Sequence, residues 1–120
     1  MILRQLVKAA PVLRRLGGYE FSVAQLYRAT KLCNAVNAEL AIYDAGRQEL
    51  IERHCEKVGD KLKYKDGTGE AFNRELQELL DVEVEFTAKP LVLTEQDNIR
   101  LTLCDMDALK GLVEIEVSED

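Results

Sequence analysis

At 120 residues, with 47% hydrophobic and 32% charged side chains, the chain has the composition of a single globular domain. A chain of about this length buries roughly two thirds of its unfolded surface, so it can fold without disulfides or a structural metal. The net charge of −6 argues against a dedicated nucleic-acid binder, and no apolar run approaches the ~18 residues of a membrane span.

The chain opens Met1-Ile2-Leu3-Arg4-Gln5-Leu6-Val7-Lys8, which mixes charge with apolar residues and lacks the continuous apolar stretch of a secretory signal. Cys33, Cys55 and Cys104 are odd in number and widely spaced. That usage points to free thiols in a reducing compartment, and the expected location is the cytoplasm of a cell. Charge is uneven. Residues 1–31 carry six basic side chains against Glu20 alone, a net +5, while the rest carry ten basic and twenty-one acidic ones, a net −11.

Ile2, Leu3, Leu6 and Val7, then Val12, Leu13 and Leu16, lie at helical spacing, with Pro11 between the two sets. Two short helical pieces are expected, breaking at Ala9-Ala10 and stopping at Gly17-Gly18. Ser22 and Gln25 form an S-x-x-Q capping box, with Phe21 placed to staple onto Leu26. From there a helix runs to about Lys57. Its seam is Leu26, Ala29, Cys33, Val36, Leu40, Tyr43, Arg47, Leu50 and His54, widened by Leu32, Ala35 and Ile42. Such a helix would be ~52 Å long, longer than a compact domain of this size is wide. One end should protrude or meet another subunit.

Val58-Gly59-Asp60 is read as the helix stop. Lys61–Lys65 alternates as a short exposed strand or loop does, and Asp66-Gly67 marks a turn. Thr68 is placed to cap a second helix, Glu70 to Leu80, folded antiparallel onto the first, with Phe72, Leu76, Leu79 and Leu80 inward. Val82, Val84 and Phe86 alternate with Glu83 and Glu85 as a half-buried strand. Leu91-Val92-Leu93 follows Pro90 as another. Thr102 and Asp105 form a second capping box, and its helix stops at Lys110-Gly111. Val113, Ile115 and Val117 close the chain as a strand, before a solvated Glu119-Asp120 tail. The expected fold is one α+β domain: a long amphipathic helix with an antiparallel helical partner, short helices and a small antiparallel sheet. Its parts are a basic N-terminal helical arm (1–18), a helical hairpin (19–81) and a β-rich C-terminal part (82–120).

Little in the chain promises catalysis. The one histidine, His54, adjoins Cys55, but adjacent helical residues point about 100° apart and cannot act on one atom. His54 is expected to serve the last carbonyls of its helix. No Cys-x-x-Cys or His-x-x-x-His spacing suggests zinc, and Gly67-Thr68-Gly69 lacks the rest of a phosphate loop. Glu83 with Glu85, and Glu114 with Glu116, fall on the polar faces of strands rather than across a buried cleft. No catalytic residue, cofactor or metal is expected. The basic arm, with Arg4, Lys8, Arg14 and Arg15, is the candidate partner surface; it docks either on its own acidic body or on a neighbour.

Four stretches carry a family resemblance: Leu6-Val7-Lys8-Ala9-Ala10-Pro11-Val12-Leu13-Arg14-Arg15-Leu16, the helix from Leu26-Tyr27-Arg28 to Leu50-Ile51-Glu52-Arg53, Phe72 to Val84, and Met106 to Glu114. In these the chain resembles a group of small uncharacterised proteins encoded by phages and prophages of Gram-positive bacteria. The resemblance implies a phage or prophage origin and brings no catalytic residues. The expected function is therefore non-enzymatic protein–protein contact by an assembly or accessory protein, able to self-associate through the long helix. Its partner would be a phage structural protein or a host defence protein. The alternative is an acidic inhibitor of a host defence nuclease, mimicking nucleic acid with Glu83, Glu85, Glu114 and Glu116.

Overall fold

A computed structural model describes residues 1–65 and 67–117, with the side chain of Glu95 excepted. The expected turn at Asp66 and the tail at Glu119 and Asp120 lie outside those residues. The fold is α+β and mostly helical. In chain order it comprises α1 (Leu3–Leu16), α2 (Val23–His54), β1 (Cys55–Val58), β2 (Lys61–Tyr64), α3 (Gly69–Leu80), β3 (Leu91–Thr94), a 3-10 turn (Glu95–Asp97), α4 (Leu103–Ala108) and β4 (Val113–Glu116).

α1 is one unbroken helix that runs through Pro11, not two pieces. Pro11 is exposed, so the carbonyl it leaves unpaired lies toward solvent. On the other side Leu3, Leu6, Ala9, Ala10, Leu13 and Leu16 are buried. Each buried leucine contributes about 1.5–3 kcal/mol, which together outweighs the ~3 kcal/mol cost of an interior proline. α1 is thus a central element: it packs on α2, α3 and α4.

α2 starts at the capping box foreseen. The Ser22 hydroxyl accepts from the Gln25 amide at 3.3 Å, and the Gln25 side chain accepts from the Ser22 amide at 3.0 Å. Its seam divides as a wide stripe should. Val36 and His54 are buried, Ala29, Cys33, Leu40, Tyr43 and Leu50 are half-buried, and Leu26 and Arg47 are exposed. The helix ends three residues before Lys57. Gly59, at φ +63°, and Asp60 form a two-residue turn that pairs β1 with β2, Val58 opposite Lys61 and Cys55 opposite Tyr64. The left-handed glycine suits such a hairpin, and the ladder draws 55–58 out of the helix.

α3 returns antiparallel along α2: His54 lies by Phe72 and Glu75, while Gly46 lies by Leu79. Gly46 has a packing role here. A Cβ at this position would stand 3.2 Å from Leu79 Cδ2, tighter than ordinary contact, so glycine lets the two helices close up. Thr68 occupies the N-cap position of α3 but makes no cap. Its hydroxyl donates instead to the carbonyls of His54 at 2.9 Å and Lys65 at 2.7 Å, tying hairpin to helix.

Residues 82–86 do not form the expected strand. Only Glu83 bridges to Ile2, with Leu3 N–H donating to the Val82 carbonyl and Val84 N–H to that of Met1. The alternation survives in part, with Val84 buried, Phe86 half-buried and Glu83 and Glu85 outward but Val82 exposed, and the partner backbone is too short for a ladder. β3 and β4 pair parallel, Leu91 with Val113 through Thr94 with Glu116. That differs from the antiparallel sheet expected, and the crossover which parallel strands require is the 3-10 turn and α4. The core gathers Leu6, Leu32, Val36, Leu91, Leu93, Leu109 and Leu112, each at most 1% exposed.

The molecule is elongated, 62 Å by 29 Å by 25 Å, with a radius of gyration of 17.9 Å. A compact chain of this length would have about 13.6 Å. α2 and the exposed β1–β2 hairpin account for the excess. None of the described helices is long and apolar enough to cross a membrane.

Candidate functional site

α2 turns through about 100° per residue, so its two sides are readily separated. Leu32, Val36, Tyr43, Leu50 and His54 share the side that meets the body. On the opposite side stand Val23, Tyr27, Ala38, Ala41 and Ala45, bordered by Ile42, together with the polar Thr30, Asn34, Gln48 and Glu52. Val23 is 86% exposed, Tyr27 62% and Ile42 66%. A surface helix ordinarily presents polar residues there. This one adds three large apolar side chains, Val23, Tyr27 and Ile42, which among the described residues stand largely uncovered.

Beside the N-terminal half of that side runs a groove of ≈ 1110 Å³, walled by α2 and by Thr87, Ala88 and Lys89. Its floor is apolar, from Val23, Ala24, Tyr27 and Ala35. Its cations are Arg28, Lys31 and Lys89, and among the described residues no carboxylate lines it. Lys31 Nζ sits 5.1 Å from the centroid of the Tyr27 ring, a cation–π contact that holds both side chains at the groove. The end of α2 here is pinned: Gln25 Nε2 donates to Asp97 Oδ2 at 2.9 Å. The Thr94 amide donates to the same oxygen at 2.7 Å, and these bonds, the Thr94 amide foremost, hold the Asp97 carboxyl below its usual range. A basic, apolar-floored groove on a rigid helix suits an amphipathic segment bearing acidic residues.

The four basic residues expected to contact a partner divide evenly. Arg4 pairs with Asp81 at 2.7 Å, and Arg15 pairs with Asp105, which is buried. Both belong to the fold. Lys8 and Arg14 are exposed and make no ion pair among the described residues. The four glutamates of the expected acidic array lie on two segments. Glu83 binds the N-terminal ammonium at 2.8 Å, Glu85 continues that segment, and Glu114 and Glu116 stand exposed on β4. Tyr27, Arg28, Lys31 and Lys89 escape sequence reading because Thr87–Lys89 comes from a distant part of the chain. The outward apolar row of α2 was the available signal.

His54 does not serve the helix-end carbonyls. Its ring is buried, Nε2 hydrogen-bonds to Glu75, and Phe72 meets it edge-on with centroids 6.2 Å apart. The bond from His54 is the chief reason that the Glu75 carboxyl lies below its ordinary range, with Arg53 and Arg74 adding to it. Among the described residues no hydroxyl or thiol hydrogen-bonds to that ring, so the pair has no nucleophile to activate. The cluster joins α2 to α3. Burial pushes the Cys33 thiol up, away from the thiolate that reactive cysteines need. Among the described residues no group of three or more His, Cys, Asp and Glu could hold a metal ion. No protein-family model, no curated protein and no solved structure matches the chain.

Proposed function

We propose that this chain is a non-enzymatic interaction protein, an assembly or accessory protein of a phage or prophage, acting in the host cytoplasm through the outer side of α2. The observation that carries the reading is the exposure of Val23, Tyr27 and Ile42 on that side of the helix. Large apolar side chains grouped on an exposed face mark protein interaction sites. Val23, Tyr27 and Ile42 are at least 62% exposed, and all lie within about 100° of one another around the axis. The basic groove alongside adds charge selectivity, and the partner is another protein.

The test compares the tagged chain with a Val23→Glu/Tyr27→Glu variant, each captured from phage-infected cells with the bound proteins identified by mass. Both positions are exposed, so unfolding stability should stay within roughly ±0.5 kcal/mol per position. Phage head, neck or tail proteins should accompany the native chain and be lost from the variant. Identical partners from both would contradict the assignment of this face. A host nuclease that is retained by the variant, and lost when Glu85, Glu114 and Glu116 are made Gln, would replace the reading with that of an acidic inhibitor.

A further inference from the structure

We infer that the outer side of α2 is covered by a second copy of this chain, the two α2 helices lying antiparallel with Lys31 of each against Glu49 of the other. The inference rests on the reading of α2 as an interaction surface and adds an occupant and a register to it.

Three observations lead to it. First, the face holds large exposed apolar side chains, Tyr27 and Ile42 among them, with the small Ala38 and Ala45 between them and Glu49. Second, its charges separate along the helix axis. Lys31 lies in the N-terminal half beside the other cations of the groove, Arg28 and Lys89. Glu49 lies in the C-terminal half with its side chain 71% exposed, paired among the described residues with Arg53 one turn on, at 3.4 Å. Third, the numbers 31 and 49 differ by 18, which is about five whole turns and ~27 Å. The two side chains therefore point the same way, in line along the face.

A two-fold axis at the level of residue 40, on the outer side of α2 and opposite the inward-facing Leu40, sets Lys31 across from Glu49, and the same contact recurs on the far side of the axis, as an isologous interface demands. Parallel helices in register would set Lys31 on Lys31 and Glu49 on Glu49, an arrangement that like charges oppose. Between the charged pairs the antiparallel register places Ile42 of one copy over Ala38 of the other. The small side chains Ala38, Ala41 and Ala45 let the backbones approach within about 8 Å, the lower end of helix packing distances. An acidic amphipathic segment is what the basic groove selects, and the C-terminal half of α2 in a second copy supplies one.

The experiment is sedimentation velocity on the full chain over a range of concentrations, with Lys31→Glu, Glu49→Lys and the double exchange. The native chain should dimerise. Each single change sets like charges together twice and should weaken the dimer by about tenfold or more, and the double exchange should restore it. Circular dichroism checks that α2 remains helical in all four. A native chain that stays monomeric throughout overturns the inference, as do single changes without effect or a double exchange without rescue. If the native chain is monomeric while the Val23→Glu/Tyr27→Glu variant still loses a heterologous partner, the second copy is wrong and the interaction surface stands. If that partner is retained as well, both fail.

Discussion

Leu6→Ala is expected to lower the unfolding free energy by about 2–5 kcal/mol, a large share of the ~5–15 kcal/mol that holds a domain together. Leu6 is fully buried, in the N-terminal half of α1, within the core that includes Leu109 and Leu112 of the α4 region and Leu91 and Leu93 of β3. Shortening it removes apolar burial and leaves a cavity in a core whose other members are themselves buried, so little is free to collapse into the gap. Leu103→Ala is the control. Leu103 has the same side chain but is 91% exposed, at the first position of α4, and its loss should stay within roughly 0.5 kcal/mol. Urea unfolding of the two variants checks this. Comparable losses would mean that α1 does not occupy the core.

Arg15→Glu is expected to destabilise the protein strongly at neutral pH, whereas Arg14→Glu next to it should not. Both arginines lie in the last turn of α1, where either reversal forfeits the same favourable interaction with the helix dipole. Only Arg15 reaches Asp105. The Asp105 carboxylate also accepts from the Thr102 amide at 3.1 Å, and Thr102 Oγ1 accepts from the Asp105 amide at 3.0 Å, closing the cap of α4. Asp105 thus fastens the end of α1 to the start of α4. The Arg15 guanidinium, then the Thr102 N–H, hold its carboxyl below the usual aspartate range. A carboxyl depressed in this way contributes stability that is fully present above its unfolded value of about 3.9. That contribution fades as pH falls through the lower folded value. The gap in melting temperature between the native chain and Arg15→Glu should therefore be wide at neutral pH and narrow in acid, where Asp105 and the new glutamate take up protons. An equal effect of Arg14→Glu, or a gap independent of pH, would show that the pair does not carry this contact. Glu75 and Asp97 are depressed as well, so the native chain itself should lose stability over the same acidic window.

These variants also separate fold from surface along the basic segment. Arg4 and Arg15 hold the body together, so reversing them confounds any binding test, while Lys8 and Arg14 can be changed without touching an ion pair.

Local chemistry was legible in the sequence and long-range pairing was not. Ser22 with Gln25 and Thr102 with Asp105 announced two helix starts, since a capping box needs only four consecutive residues. The alternation at 61–64 is a strand, and 69–80 is a helix lying along α2. Pro11 misled because its cost is local, while the burial of Leu6, Leu13 and Leu16 that overrides it is tertiary. The parallel pairing of β3 with β4 was hidden because short apolar runs such as Leu91-Val92-Leu93 read alike in either direction. His54 found Glu75 only once α3 had folded back. The groove was legible by half. Val23, Tyr27 and Ile42 could be read off a helical wheel as apolar positions facing away from the seam, but the wall at Thr87–Lys89 arrives only through the fold.

The central claim, that the outer side of α2 receives a protein partner, is tested most directly by placing a photo-cross-linking phenylalanine analogue at position 27. The same analogue at Asn73, an exposed position on α3, serves as the control. Irradiation in phage-infected cells should give a discrete protein adduct from position 27, with a second copy or another chain, and none from position 73. Absence of any adduct at position 27 above that control would contradict the account.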